Sequence, residues 1–225
     1  VCQHDAEGAK PERVEAMASH ASYVQGEFGD MAAYTKLAEH LETIDEEWGQ
    51  CSNKLFYLAV PPPFYEQIFS NLHESKLSEP CDDESGWTRV LVEKPFGEDA
   101  ATAKQLDERL GELFQEEQIY RIDHYLAKEM LQNILAWRFS NNLFEQSWDA
   151  DHIERIEIRS LETVGVAERG HFYDGIGALR DVGQNHLLQM LALVTMEAPT
   201  DYQPQSIREA RVQLLEALPE LGSEQ

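Results

Sequence analysis

A chain of 225 residues, 42% of them hydrophobic, is long enough for one large or two small packed domains and too apolar to be disordered. Its formal charge of −24 excludes sequence-independent binding to nucleic acid or anionic lipid, both of which need clustered Lys and Arg. No apolar run is long enough to span a bilayer, and Cys2, Cys51 and Cys81 are too far apart in sequence for a zinc-type ligand set.

The first 22 residues are polar, with a helix expected from Pro11 to Ala21. Tyr23 to Asp30 reads as an extended stretch and a turn. Tyr34, Leu37, Leu41 and Ile44 then recur at helical spacing and predict a helix over Ala32 to Ile44. Leu55 to Val60 is a continuous apolar run, the pattern of a strand covered on both faces. It runs into Pro61-Pro62-Pro63, with a helix predicted behind it from Phe64 to Leu72. An acidic loop, Glu79 to Gly86, precedes a second buried strand, Thr88 to Val92, which enters Glu93-Lys94-Pro95-Phe96-Gly97. An amphipathic helix over Asp99 to Phe114 and a strand over Ile119 to Ile122 complete a β-α-β-α-β series. That alternation is the signature of a doubly wound parallel sheet, whose ligands sit beyond the carboxyl ends of the strands.

The second half differs. A helix is expected over Leu126 to Phe139, then a loop from Ser140 to Asp151. Ile153, Ile156 and Ile158 alternate with charged residues, which predicts a half-exposed strand over Ile153 to Leu161. A connection from Gly165 to Gly177 leads to a long helix, Ala178 to Met196, and Val212 to Leu218 fits strand and helix equally. The fold expected is therefore a partial Rossmann-like domain over residues 1–122, followed over 123–225 by part of an α+β domain with an antiparallel sheet.

Chemistry concentrates in Arg-Ile-Asp-His-Tyr-Leu-Ala-Lys-Glu, from Arg121 to Glu129. This cluster falls at a strand-to-helix junction. With a helix starting near Tyr125, His124 and Lys128 share one face of its first turn, beside free backbone N–H groups, and together suit a phosphate. A solvated helix start capped by Asp123 fits the same residues. Of the other candidates, His186 is a lone imidazole on an apolar helix, more often a core residue than a base. Asp181 lies five residues from it, a spacing that does not share an α-helical face. Lys94 precedes Pro95 at a strand end, where a cis bond would fix a bend. Tyr65 and Phe64 after the prolines read as packing or as an aromatic wall, and Glu162 and Asp174 as loop acids.

Six motifs standing in order carry a resemblance. They are Y-V-Q-G-E-F-G-D at 23–30, L-F-Y-L-A-V-P-P at 55–62, V-E-K-P-F-G at 92–97, I-Y-R-I-D-H-Y-L-A-K-E-M at 119–130, G-H-F-Y-D-G-I-G-A-L-R-D at 170–181 and Q-N-H-L-L-Q-M at 184–190. The chain resembles the glucose-6-phosphate dehydrogenase family from Tyr23 to Glu216. The resemblance implies His186 as the base for the sugar's C1 hydroxyl and Asp123 as the carboxylate that orients it. His124, Tyr125 and Lys128 match the ligands of the 6-phosphate, and Glu162 and Asp181 match ligands of sugar hydroxyls. Lys94 matches a lysine between substrate and coenzyme, while Tyr65 and Pro95 match positions on the dinucleotide side. NADP is the implied coenzyme, glucose 6-phosphate the substrate and the pentose phosphate pathway the context, in a cytoplasmic enzyme without a bound metal that is a homo-oligomer when complete.

Departures from the family pattern go with the resemblance. The chain opens on Val1 rather than Met and carries no glycine-rich dinucleotide-phosphate loop, so a central fragment with weak NADP binding is expected. Ala127 stands where the family has glycine in D-H-Y-L-G-K-E. A non-catalytic phosphosugar-binding module that has lost its coenzyme half is the alternative from a different functional class. The acidity fits either a salt-adapted protein or ordinary solubility charge.

Overall fold

The computed structural model describes residues 11–81, 86–97, 99–140, 144, 146–161, 163, 165–166 and 170–219. They fall into two compact units, the first drawn from residues 11–92 and 99–120 and the second from residues 93–97 and 121–219.

In the first unit the order is α1 (Pro11–Ala18), α2 (Met31–Trp48), β1 (Lys54–Leu58), α3 (Tyr65–Glu74), β2 (Thr88–Val92), α4 (Ala100–Leu113) and β3 (Ile119–Arg121). The strands form one sheet in the order β1-β2-β3. β1 and β2 run parallel in the register Lys54 to Thr88 through Leu58 to Val92, the Rossmann-like α/β arrangement read from the sequence. Local chemistry sets the helix ends. Asp30 accepts the N–H of Ala32 at the start of α2, and Gly49 closes that helix with a φ of 63°. Asp99 and Thr102 form a reciprocal capping box on α4. The core joins Leu58, Val90 and Val92 to Tyr65, Ile68, Phe69 and Leu72 of α3 and Leu110 of α4. Phe69 meets Phe114 edge to face at 5.9 Å.

The apolar runs predict both strands buried on both faces, and each is buried on one. Leu55 and Tyr57 are 53% and 55% exposed, and in β2 burial alternates, with Arg89 and Leu91 half-buried between Thr88, Val90 and Val92. An apolar run reports that a strand can be covered twice; it does not supply the second layer, and no described element covers that face.

The second unit holds α5 (Glu129–Phe139), α6 (Gly170–Ala178), a π-helical segment (Leu179–Leu187), α7 (Leu188–Thr195) and α8 (Pro204–Ala217). Leu131, Leu193, Met196 and Ala210 form its core, with Tyr125, Leu126, Met190, Ile207 and Leu214 packed against them. Four expectations change here and one open reading is settled. The helix predicted from Leu126 begins three residues later, at Glu129. The connection from Gly165 to Gly177 contains α6, and the single long helix from Ala178 is π-helical in its first half. Val212 to Leu218 resolves as the end of α8, because Ile207, Ala210 and Leu214 place one helical face in the core. No strand forms over Ile153 to Leu161 among the described residues. The isoleucines are half-buried and the charged residues exposed, so the alternation is retained while the ladder partner that a strand requires is missing there.

Candidate active site

The junction after β3 is shaped by one side chain. Asp123 Oδ1 accepts the backbone N–H of Tyr125 at 2.9 Å, an Asx turn of the kind that also caps helix starts. Leu126 N then donates to Asp123 O and Lys128 N to Tyr125 O, each at 3.0 Å. Lys128 is extended at ψ 129° and serves as the cap residue of α5. His124 and Lys128 therefore sit on a turn ahead of the helix, not on its first turn as the spacing suggested. The turn still gathers them around one ring: Lys128 Nζ lies 3.6 Å from the Tyr125 ring centroid, and the His124 ring is 4.9 Å from it.

His186 completes the group. It is 1% exposed, with its ring stacked on Tyr125 at 4.0 Å and edge-on to His124 at 4.7 Å. Its Nδ1 lies 2.7 Å from Asp123 Oδ1. The five-residue spacing from Asp181 is resolved by backbone conformation. In a π helix the hydrogen bonds run from i to i+5, so residues five apart return to one side. Gly177, at φ 69° and ψ 171°, makes the bend that sends α6 into this segment. Asp181 and His186 meet on the Lys94 ammonium. Nζ donates to Asp181 Oδ1 at 2.7 Å and to its carbonyl at 3.3 Å, and lies 3.2 Å from His186 Nε2.

These contacts fix the imidazole's tautomer. An ammonium has only protons to offer, so Nε2 must present its lone pair to Lys94, and Nδ1 must carry the proton given to Asp123. Burial pushes the His186 pKa below its usual value; Asp123 pulls it up, and Lys94 and His124 push it further down. The result is a buried, neutral imidazole whose acceptor nitrogen is aimed at an exchangeable donor, the form a general base takes. Asp123 Oδ2 and Arg211 Nε are both buried without a hydrogen-bond partner among the described residues.

Two family models match the sequence of the chain. The N-terminal model, "Glucose-6-phosphate dehydrogenase, NAD binding domain", covers residues 1–133, and its C-terminal counterpart covers 135–225. The chain belongs to the glucose-6-phosphate dehydrogenase family. It is 45% identical over 195 residues to glucose-6-phosphate 1-dehydrogenase 2 of Mycobacterium bovis, an alignment spanning 87% of this chain and 38% of the relative. It is also 45% identical over 218 residues to the Aggregatibacter actinomycetemcomitans glucose-6-phosphate 1-dehydrogenase, covering 97% of this chain and 44% of that protein. A solved glucose-6-phosphate dehydrogenase in complex with its substrate glucose 6-phosphate superposes with a TM-score of 0.86 at 40% identity, over 95% of this chain and 43% of that one. The Mycobacterium avium enzyme gives 0.82 at 37% identity, over 95% and 44%. The chain thus spans less than half the length of these glucose-6-phosphate dehydrogenases.

Among the remaining candidates, Lys94–Pro95 is a cis peptide, as that position allowed. Tyr65 is 1% exposed in the core of the first unit, its ring 5.9 Å from Phe69. Glu162 lies outside the described residues, and Asp174 is an exposed acid on α6. Sequence reading passes over Arg211. Burial lowers its pKa, with the Asp123 charge acting in the opposite direction. The signal is present: on α8, Arg211 stands four residues after Ile207 and three before Leu214, hence on the inward face. No helix among the described residues is long and apolar enough to cross a membrane.

Proposed function

We propose that the complete protein containing this chain is a cytoplasmic glucose-6-phosphate dehydrogenase of the pentose phosphate pathway, homo-oligomeric, oxidising C1 of glucose 6-phosphate to the 6-phosphogluconolactone. Residues 1–122 are assigned to its coenzyme domain and 123–225 to its substrate domain. The observation that carries the reading is His186, held at Nδ1 by Asp123 at 2.7 Å with Nε2 against Lys94 at 3.2 Å.

The C1 hydroxyl takes the place of the Lys94 ammonium at Nε2 and gives its proton there. Asp123 holds the ring and stabilises the imidazolium as it forms, and Lys94 turns its donors to the sugar. His124, Tyr125 and Lys128 bind the 6-phosphate, where the flexible cation on the Tyr125 face gains a charge-assisted hydrogen bond. Asp181 and Glu162 accept from sugar hydroxyls. The donor set suits the nicotinamide end of a dinucleotide, since an ammonium stands beside the imidazole; Lys94 and Pro95 would hold it. A bound NADP would supply the hydride acceptor for C1.

The test is titration of glucose 6-phosphate into the complete protein with and without NADP, for wild type and His186→Asn. Wild type is expected to generate reduced coenzyme; H186N is expected to bind the sugar with near wild-type affinity and lose at least a hundredfold in turnover, the scale of a missing general base. Sugar binding without any coenzyme reduction by the wild type would leave a phosphosugar-binding module instead.

A further inference from the structure

The three cysteines are widely spaced in sequence, yet two of them meet at the amino-terminal end of β1 and β2, and neither is among the residues assigned above. Cys51 lies in the connection from α2 to β1 and Cys81 in that from α3 to β2. Both are free thiols, Cys51 partly buried and Cys81 exposed. Their sulfurs and a carboxylate oxygen of Asp45 lie within 4.8 Å of one another.

The surroundings are ordered by charge. Asp45 Oδ2 accepts from Lys54 Nζ at 2.9 Å, and its Oδ1 accepts from Ser52 N at 2.8 Å. Lys54 Nζ also donates to Cys81 Sγ at 3.4 Å, and the Cys81 thiol faces Asp45 Oδ2 at 3.5 Å. A Cβ on Gly86 would stand 3.4 Å from the Cys51 Cβ and 3.0 Å from Ser52 O, and Gly86 has a φ of 75°, so the two connections pack closely beside Cys51. Two sulfurs and a carboxylate are also a metal-ligand set, but the ammonium of Lys54 already fills the place between the carboxylate and Cys81 that a cation would take. What the cluster leaves open is sulfur chemistry.

We propose that Cys51 and Cys81 form a thiol-modification site that closes reversibly to a disulfide by exchange with a low-molecular-weight disulfide. The exposed Cys81 reacts first. Its thiol, which the Cys51 hydrogen bond and burial push up in pKa against Lys54, gives its proton to solvent, and the thiolate attacks one sulfur of the small disulfide and expels one thiolate. Cys51, deprotonated, then attacks Cys81 Sγ and expels the second. The small disulfide gains two electrons and two protons, and the protein loses the same. A bonded pair needs an S–S distance of about 2.05 Å, and the two sulfurs already lie within 4.8 Å of each other. Closure ties the α2–β1 connection to the α3–β2 connection and encloses β1 and α3 in one loop.

The experiment is equilibration of the protein with oxidised or reduced glutathione, followed by alkylation, non-reducing digestion and mass spectrometry. The expected result is a peptide pair linked through residues 51 and 81, lighter than the reduced peptides by two hydrogens. Chain-entropy reasoning expects the melting midpoint to rise by roughly 5–10 °C on oxidation and to return with dithiothreitol. Cys51→Ser and Cys81→Ser should each abolish the linked peptide and the shift. Peptide mapping of the wild type decides the matter even where a variant folds poorly. Alkylation of both thiols after oxidation, or glutathione retained on Cys81 without resolution by Cys51, overturns the proposal. Protection of both thiols by Zn²⁺ alone, reversed by a chelator and without a linked peptide, overturns it in favour of a metal site.

Discussion

Replacing Asp123 by Asn separates the charge of the dyad from its geometry. Oδ1 of Asp123 is held by two donors, Tyr125 N at 2.9 Å and His186 Nδ1 at 2.7 Å. Two donors at one atom select the amide oxygen for that position, so the Asn side chain keeps the imidazole's orientation and tautomer. The negative charge is lost. Two unit charges about 4 Å apart interact by about 4 kcal/mol at an effective dielectric constant of 20; a loss of that size lowers turnover by up to about a thousandfold. The expected result for the complete enzyme is a kcat lowered by roughly 10²–10³, with the KM for glucose 6-phosphate within about threefold of wild type. The pH profile carries a second signature. Asp123 raises the His186 pKa against burial, so its removal lets that pKa fall further. A base must be unprotonated to act, so the acid limb of the rate profile moves to lower pH while the plateau drops. Initial rates of coenzyme reduction across the pH range measure both. A variant with wild-type kcat, or an acid limb that stays put or moves upward, refutes the reasoning.

Lys128→Ala removes the exposed cation above Tyr125 and is expected to raise the KM for the sugar phosphate about 10–100-fold, the scale of one charge-assisted hydrogen bond, with kcat nearly unchanged; steady-state kinetics checks this. Gly177→Ala meets no neighbour within 4 Å, so its cost is backbone strain at φ 69° and ψ 171°, about 1–3 kcal/mol. It should lower the urea midpoint and turnover together, because the π segment begins two residues on. Burial pushes the Asp45 carboxyl up, but hydrogen bonds from Ser52 and Lys54 outweigh it and hold the group at about 2, below its ordinary 3.8. A depressed carboxyl stabilises the fold above its unfolded pKa and ceases to as pH falls through its folded one. Asp45→Asn should therefore cost about 1–2 kcal/mol at pH 6, the difference from wild type shrinking between about pH 4 and pH 2 in urea titrations.

How much of this is legible in the sequence depends on whether the governing interaction is local. The apolar runs at β1 and β2, the capping residues of α2 and α4 and the polar cluster after β3 are patterns within a few residues, and each marks its element. The start of α5 is misplaced because helix propensity from Leu126 onward is good, whereas the chain makes turns over 123–128 and Lys128 is extended at ψ 129° before the helix begins. The strand expected over Ile153 to Leu161 depends on a partner elsewhere, which periodicity cannot supply. The convergence of Asp181 with His186 is hidden for a third reason. Sequence reading assigns helices the α period, and an i to i+5 segment changes which residues share a face.

The π segment is best understood through the charge balance it makes possible. His186 is 1% exposed, and a buried imidazole stays neutral unless something stabilises its proton. Around it stand acids and bases of opposite effect. Asp181 neutralises Lys94 at 2.7 Å, and Asp123, whose charge acts on Arg211, faces Nδ1. An α-helical continuation from Gly177 would rotate Asp181 away from His186 and leave the Lys94 ammonium against Nε2 with no carboxylate of its own. That lone cation would oppose imidazolium formation and bind anions without discrimination. By returning residue 181 to the side of residue 186, the wider turn lets one lysine be screened by an acid and still reach the imidazole. In the proposed reaction the same ammonium yields Nε2 to an incoming hydroxyl without leaving a buried charge unpaired, the condition for a resting site to open at low cost.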